Sequence, residues 1–165
     1  MTPSITPVRS RNRLIGLAAF CVVSVLVAVG VVYVKFRPPE RDASGSVVRA
    51  GRALVHDLRV GDCITDPFVF GAKNTAVHAV PCTHEHSSEV YLLTRIPQPV
   101  GVPYPGVGGV NDLARTACGV HDLPPATATY QRWFVRPEEK AWNKGDRRVV
   151  CLLAATSPQK LSFTR

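Results

Sequence analysis

The sequence predicts an α+β protein: an N-terminal single transmembrane helix followed by a small disulfide-stapled domain of four or five antiparallel strands with one main helix. Three observations lead to this class: an uncharged apolar run near the N-terminus, four cysteines downstream of it, and several short strand patterns around one helical pattern. With 165 residues, of which 45% are hydrophobic, the chain has the length of one ordinary domain and is too apolar to be disordered. Because the apolar run takes up much of that content, the remainder is too small for a large enzyme with a cofactor domain.

The apolar run from Leu14 to Val34 contains 21 residues without a formal charge. As a helix it would extend about 31 Å, which matches a bilayer core of about 30 Å. A cleavable signal peptide has a shorter apolar region and a small-residue cleavage site, whereas Lys35, Phe36 and Arg37 follow this run. We therefore interpret residues 14–34 as an uncleaved signal-anchor; the alternative is a buried helix of a soluble protein.

The distribution of basic residues does not determine the orientation of this helix, so we infer the orientation from the translocation of the C-terminal domain. Arg9, Arg11 and Arg13 precede the run and five basic residues follow it closely, so the basic count does not favour a cytoplasmic N-terminus. A C-terminal domain is translocated largely regardless of its charge. We expect residues 1–13 to be a short cytoplasmic tail, and the C-terminal domain to be extracytoplasmic.

The positive charge of the chain is concentrated beside the predicted membrane helix. Residues 1–52 hold eight basic and two acidic side chains, whereas residues 53–165 hold twelve and ten. Basic residues in such a position can meet anionic lipid head groups, while a nucleic-acid binder would carry its excess on the folded domain. We therefore expect the lipid bilayer as a partner and no nucleic acid.

The cysteines predict two disulfides. Cys21 lies within the apolar run, where it behaves as a small hydrophobe. Cys63, Cys82, Cys118 and Cys151 form no C-x-x-C, so zinc-ribbon and thioredoxin motifs are absent, and three pairings are possible. We favour Cys63–Cys82 and Cys118–Cys151, because each pair then joins neighbours in a plausible sheet or helix-on-sheet arrangement. Each bridge would contribute about 3–4 kcal/mol, and an oxidising compartment again places the domain outside.

The remaining segments have distinct local patterns. Residues 35–53 are rich in proline, Gly-Ser and mixed charge, which predicts a linker before a domain at 54–156 and a C-terminal tail at 157–165. Strand patterns occur in five segments: Leu58–Ile64, Thr75–Val80, Glu89–Ile96, Tyr130–Val135 and Arg148–Ala155.

The helical pattern follows a segment rich in proline and glycine. Pro97–Gly109 is predicted to lack regular structure over most of its length. A helix then begins at Gly109 or Asn111 and ends near His121, before Pro124-Pro125. Its expected buried face contains four residues: Leu113, Ala117, Cys118 and His121.

Three short motifs together resemble the septum formation domain. They are Val60-Gly61-Asp62-Cys63, Cys82-Thr-His-Glu-His86-Ser-Ser-Glu89-Val90 and Trp142-Asn-Lys-Gly145-Asp146-Arg147. The resemblance covers Leu58 to Leu153. It implies a small membrane-anchored actinobacterial protein with an extracytoplasmic domain linked to septation or the cell envelope, and no established chemistry. Where family members often have an acidic residue and proline before the histidine, this chain has His84-Glu85, so His84 is not a family position.

The histidine motif also raises the question of a metal site. In an extended segment His84 and His86 would share one face, with Glu89 as a third zinc ligand. Against this, only His86 and Glu89 match the family motif, and Cys82 is expected in a disulfide. We predict no metal and no cofactor. The expected role of His86 is a partly buried, hydrogen-bonded group near the disulfide, and Glu89 opens the next strand.

The tryptophan motif has a structural and a functional interpretation. Gly145 would supply an unusual backbone angle, Trp142 would cover the sheet edge, and Arg147 would pair with Glu89 or Asp62. Alternatively, Trp142 and Arg147 would belong to a glycan- or peptide-binding surface. The complete set of candidate surface residues is His86, Glu89, Trp142, Asp146 and Arg147.

These patterns predict a non-enzymatic protein. Ser87 and Ser88 lie beside His86, but the chain has no nucleophile-elbow or Ser-x-x-Lys motif, so we predict no catalytic residues. The expected function is an interaction domain linked to septum formation or cell-envelope organisation. Its expected partners are envelope or division proteins or cell-wall glycan, contacted by the Pro97–Gly109 loop and the surface around His86 and Trp142. The alternative is an envelope hydrolase or metal-binding domain that uses His86 and Glu89.

Overall fold

A computed structural model describes residues 18, 20–31, 37–65, 76–119, 130–160 and 162. The chain divides into two compact units, Met1–Arg37 and Pro38–Arg165. In the first unit residues 20–31 are helical, and their side chains are exposed. Within the described residues, no helix is long and apolar enough to cross a membrane. The predicted span at 14–34 includes residues outside the described ranges, and the tail at 1–13 lies wholly outside them, so both stay predictions.

The second unit is built on a six-stranded antiparallel sheet with the order β3-β5-β4-β6-β8-β7. The strands of the described segments are β1 (Glu40–Arg41), β2 (Val47–Arg49), β3 (Gly51–Leu54), β4 (Cys63–Ile64), β5 (Ala76–Val80), β6 (His86–Arg95), β7 (Gln131–Val135) and β8 (Arg148–Gln159). The helices are a 3-10 turn (Val55–Asp57), α1 (Gly106–Gly119) and α2 (Glu139–Asn143). The predicted antiparallel α+β class is confirmed, although the strands outnumber the four or five expected.

The additional strands come largely from the segment predicted as linker. Strands β1 and β2 pair with each other, and β3 forms an edge of the main sheet. Val47 is buried in the core, and a Cβ on Gly51 would lie 2.4 Å from the backbone carbon of Pro38. The linker prediction for residues 35–53 is therefore wrong from Pro38 onward. The strand pattern is not visible in the polar composition of this segment, whose short strands are held by backbone packing and by two ion pairs, Arg41–Asp62 and Arg49–Glu40.

The two long strands β6 and β8 separate two apolar cores. Along β8, Val150 and Leu152 face one side of the sheet, whereas Val149, Cys151 and Leu153 face the other. This alternation is the period-two pattern of a strand that is buried on both faces. We call the side that contains α1 the helix-side core; its buried members are Tyr91, Ile96, Val110, Ala114, Cys118, Trp142, Val149, Cys151 and Leu153.

Helix α1 begins earlier than predicted, and its buried face shares only Cys118 with the predicted one among the described residues. It starts at Gly106, inside the segment that was expected to be irregular. Its buried residues are Val110, Ala114 and Cys118, spaced four apart, whereas the predicted Leu113 and Ala117 are half-buried. The three buried side chains are smaller than Leu113, and their size allows the helix to approach the sheet closely. The predicted helix end near His121 and Pro124-Pro125 lies outside the described residues.

Two disulfides connect these elements. Cys63 of β4 is bonded to Cys82, just after β5, and Cys118 of α1 is bonded to Cys151 of β8. These are the two pairs that the sequence analysis favoured, one within the sheet and one between helix and sheet. The first closes a sequence separation of 19 residues and the second one of 33.

Candidate functional site

Four of the five candidate surface residues are buried. The exposed fractions are 1% for His86, 0% for Glu89, 1% for Trp142 and 2% for Arg147, whereas Asp146 is exposed. The prediction that they form an interaction surface is therefore wrong. The family motifs instead mark two interior sites, one around His86 and one around Trp142.

The first interior site lies where β4 meets β6. Cys63 pairs with Glu89 across these strands, and cross-strand partners project to the same face of a sheet. In a regular strand His86 and Glu89, three residues apart, would face opposite sides. An irregularity in β6 between His86 and Ser88 shifts the alternation of side chains, so that His86 and Glu89 face the same side of the sheet. As a result Cys63, His86 and Glu89 place a sulfur, an imidazole nitrogen and a carboxylate oxygen within 4.8 Å of one another.

We call Cys63, Cys82, His86 and Glu89 the polar cluster. His86 Nδ1 lies 2.9 Å from the backbone carbonyl oxygen of His84. A carbonyl oxygen only accepts, so Nδ1 carries the proton of this bond, and in the neutral tautomer with this proton Nε2 is the nitrogen with the lone pair. The hydrogen bond therefore fixes both the tautomer and the orientation of the imidazole.

His84 itself does not join this cluster. The backbone amide of His84 donates to the carbonyl of Pro81 at 2.8 Å, which closes a turn before β6. The His84 side chain is exposed, whereas that of His86 is buried. The expectation that the two histidines share one face is wrong, because it assumed an extended segment where the chain turns.

Glu89 is held by a residue close to the C-terminus. The hydroxyl of Ser162 donates to both carboxylate oxygens of Glu89, at 2.8 and 3.1 Å. The Glu89 side chain is fully buried, and its Cα partner on β8 is Leu153 of the helix-side core. The carboxylate therefore lies on the α1 side of the sheet, where a fixed hydroxyl orients it.

Asp62, which precedes Cys63, forms a buried ion pair with Arg41. The guanidinium donates to both carboxylate oxygens, at 2.6 and 2.7 Å, and the backbone amide of Arg59 adds a 2.8 Å bond. Hydrogen bonding to Asp62 raises the pKa of Arg41 above its ordinary value, and burial opposes this effect. Two parallel bonds of this kind are the strong geometry for a guanidinium and a carboxylate.

The second interior site is built by the tryptophan motif. The guanidinium carbon of Arg147 lies 3.7 Å from the centre of the Trp142 ring. Arg147 also donates to the backbone carbonyls of Trp142, Asp146 and Pro99, at 2.8, 2.9 and 3.0 Å. The predicted pairing of Arg147 with Glu89 or Asp62 is therefore not the arrangement observed.

These contacts attach the loop before α1 to the short helix α2. The indole nitrogen of Trp142 donates to the carbonyl of Val102 at 2.8 Å, and Tyr104 meets the ring edge-on at 6.0 Å. Gly145 has a φ of +88°, in the left-handed region that a residue with a Cβ rarely adopts. The motif Trp142 to Arg147 therefore has a structural role.

A shallow groove lies beside this loop, between β6 and α1. It has a volume of about 440 Å³. Its lining residues are Leu92, Thr94, Arg95, Pro97, Leu113, Thr116 and Ala117. Nearby, Val100 and Val107 are exposed. The prediction that Pro97–Gly109 contacts a partner concerns this region and stays a prediction.

The polar cluster in its oxidised form does not suit a resident zinc ion. The sulfur of Cys63 is bonded to Cys82 and is not a thiolate. Within the described residues, the metal-ligand group then retains only His86 and Glu89, whereas catalytic zinc sites use three protein ligands.

The family comparison covers both interior sites. The model of the family described as Septum formation matches residues 60–165. The chain belongs to the Septum formation family. The matched range includes the Gly61-Asp62-Cys63 motif, the polar cluster and the tryptophan motif, so the predicted resemblance is confirmed. Membership supports a role linked to septum formation. No curated protein and no solved structure matches the chain.

Two residues of these sites were missed by the sequence analysis. Arg41 lies in the predicted linker, and Ser162 lies in the predicted C-terminal tail. Their partners are 21 and 73 residues away along the chain. Neither residue belongs to a motif, and the only available signal was the need of a buried Asp62 for a positive partner.

Proposed function

We propose that this protein is a single-pass membrane protein whose extracytoplasmic domain acts as a non-catalytic interaction module in septum formation. The observation that carries the proposal is the family match over residues 60–165, within a domain that contains two disulfides. Disulfides persist in oxidising compartments and are rare in the cytoplasm. The apolar run at 14–34 supplies the segment that would anchor the domain.

The buried state of the family motifs supports the non-catalytic part of the proposal. His86 and Glu89 are closed off by the sheet and by Ser162, and Trp142 and Arg147 are closed off by the loop before α1. A general acid or base must reach its substrate directly or through one water. Buried motifs of this kind contribute to function indirectly, because they hold the exposed loops in a defined conformation.

The topology is tested by labelling of matched cysteine variants. In a Cys21→Ser background, Ser10→Cys marks the N-terminal tail and Asn143→Cys marks an exposed position of α2. A membrane-impermeant maleimide applied to intact cells is expected to label Asn143→Cys and to leave Ser10→Cys unlabelled until the cells are lysed. The reverse pattern, or labelling of neither variant before lysis, would contradict an exported domain.

The functional role is tested by depletion and complementation. Depletion of the protein is expected to reduce the fraction of cells with complete septa, and the wild-type chain is expected to restore it. Glu89→Gln keeps an oxygen that accepts from Ser162 but removes the carboxylate that an acid–base catalyst needs. An interaction module restores septation with this variant. A folded, fully oxidised Glu89→Gln protein that fails to restore septation would favour the hydrolase alternative.

A further inference from the structure

We propose that reduction of the Cys63–Cys82 disulfide converts the polar cluster into a zinc site with four protein ligands. The ligands are the thiolates of Cys63 and Cys82, Nε2 of His86 and one carboxylate oxygen of Glu89. Formation of this site does not depend on whether the oxidised domain binds a partner or catalyses a reaction, so the inference is independent of the proposed function.

The first support is the separation of the ligand atoms. Zinc takes thiolate, imidazole and carboxylate ligands in tetrahedral geometry, with about 2.0–2.3 Å to each ligand, so ligand atoms lie about 3.3–3.8 Å apart. The sulfur of Cys63 and the ligand atoms of His86 and Glu89 already lie within 4.8 Å of one another. Cys82 is held beside them, because its Cα is 5.2 Å from that of Cys63. Closing the separations among these three atoms by about 1 Å would bring them to zinc distances, and opening the disulfide would free the Cys82 side chain to rotate toward them.

The second support is the orientation of His86 and Glu89 by neighbouring groups. A zinc-binding histidine usually donates its other ring N–H to a carbonyl or carboxylate, which fixes the tautomer. His86 has this arrangement, with Nδ1 bonded to the carbonyl of His84 at 2.9 Å. Ligating carboxylates are hydrogen-bonded in the same way, and Ser162 donates to Glu89. The site therefore has its supporting contacts before any metal arrives.

The chemical step is a thiol–disulfide exchange with a dithiol reductant. A thiolate of the reductant attacks Cys82, because this residue is half-buried whereas Cys63 is fully buried. Cys63 leaves as a thiolate, and the second thiol of the reductant resolves the mixed disulfide. The reductant becomes a disulfide, and two electrons and two protons pass to the cysteine pair. Zinc binding then displaces the protons that the two thiols hold.

The second disulfide has no comparable surroundings. Cys118 and Cys151 are both buried, and they lie among apolar members of the helix-side core such as Val110 and Leu153. Among the described residues, Cys63, His86 and Glu89 form the one group of three metal-ligating side chains. Opening Cys118–Cys151 would therefore release two thiols that have no imidazole nitrogen or carboxylate oxygen beside them to complete a zinc site.

The experiment measures zinc affinity of the purified full chain, with zinc alone as the probe, by competition with a chromophoric chelator. Graded dithiol opens the disulfides, and mass-spectrometric thiol mapping identifies which pair is open. We expect the oxidised chain to bind zinc more weakly than about 10 μM, and the chain with Cys63–Cys82 open to bind at about 100 nM or tighter. Unchanged affinity after this pair opens, or an increase that appears only when Cys118–Cys151 opens, would overturn the proposal.

Two histidines two residues apart provide a matched control. His86→Ala is expected to weaken zinc binding by the reduced chain about tenfold or more, whereas His84→Ala changes it less than about twofold. Glu89→Gln is a second variant that keeps the contact with Ser162 and is expected to weaken zinc binding, and cobalt in place of zinc reports the coordination by its visible spectrum. Equal effects of His84→Ala and His86→Ala, or a cobalt spectrum unchanged by Glu89→Gln, would show thiol binding without the proposed site.

Discussion

The two disulfides of this domain are the same covalent bond in two contrasting surroundings. Cys118–Cys151 joins helix to sheet within an apolar core, whereas Cys63–Cys82 joins two parts of the sheet beside His86, Glu89 and the Asp62 ion pair. In the apolar region the bond adds only mechanical constraint. In the polar region it also withholds two sulfur ligands from a prepared set of donors. The contrast shows that the role of a disulfide depends on its neighbours.

The polar side is also the more vulnerable one in energetic terms. A buried apolar group that loses a neighbour loses contact area, whereas a buried charge that loses its partner retains its desolvation cost. Asp62 is 2% exposed, and Arg41 is its charged partner among the described contacts.

The largest effect is expected from Arg41→Ala. The variant leaves the Asp62 carboxylate buried without its guanidinium, which costs about 3–5 kcal/mol of unfolding free energy. The control is Arg49→Ala, because Arg49 also forms a 2.7 Å ion pair, with Glu40, but both side chains are exposed. That loss should be at most about 1 kcal/mol. Urea unfolding of both variants checks the prediction, and equal losses would contradict it.

The next effect compares the two disulfides. Cys118→Ala with Cys151→Ala should lower the unfolding free energy by about 4 kcal/mol, and Cys63→Ala with Cys82→Ala by about 3 kcal/mol, since the first bond closes the longer loop. Chemical unfolding of the two double variants measures the difference. A larger loss for Cys63 and Cys82 would show that the polar cluster depends on its disulfide for more than loop closure.

The smallest effect is expected from Tyr91→Phe in the helix-side core. The Tyr91 hydroxyl donates to the carbonyl of Cys118 at 2.8 Å, so its removal should cost about 1 kcal/mol. Burial raises the pKa of Tyr91, and the charge of Arg132 partly opposes this. The unfolding free energies of wild type and Tyr91→Phe are compared at neutral pH, where the hydroxyl is protonated in both the folded and the unfolded wild-type chain.

The same residue predicts a dependence on pH. Above pH 10 the unfolded chain releases the Tyr91 proton before the folded chain does, so stability that is present below pH 10 falls as the pH rises through the raised pKa. Wild type should therefore lose more stability than Tyr91→Phe between pH 9 and 11, when other groups contribute equally to both. Parallel pH profiles would contradict the buried, protonated phenol.

The sequence allowed the prediction of features that depend on local spacing. Cysteine positions relative to strand and helix patterns favoured the two pairings that are observed, and the strand pattern in Arg148–Ala155 identified the first eight residues of β8. The contacts of Arg41 and Ser162 could not be predicted, because they span 21 and 73 residues and lie in segments of unremarkable composition.

The burial of the motif residues was the main error about the site. Arginine and glutamate are mostly exposed and are almost never fully buried unless they are paired, whereas tryptophan and histidine occur at surfaces and in interiors. Here the partners are backbone carbonyls and a distant serine, for example Pro99 and Ser162. Such partners leave no pattern in a sequence, so the motif alone does not reveal whether its residues lie at the surface or in the interior.

The most direct test of the contrast between the two disulfides is mass-spectrometric mapping of thiols during graded reduction. The unreduced chain should contain Cys63–Cys82 and Cys118–Cys151, and low concentrations of dithiol should open Cys63–Cys82 first through the half-buried Cys82. Free thiols at all four positions before reduction, a different pairing, or earlier opening of Cys118–Cys151 would contradict it.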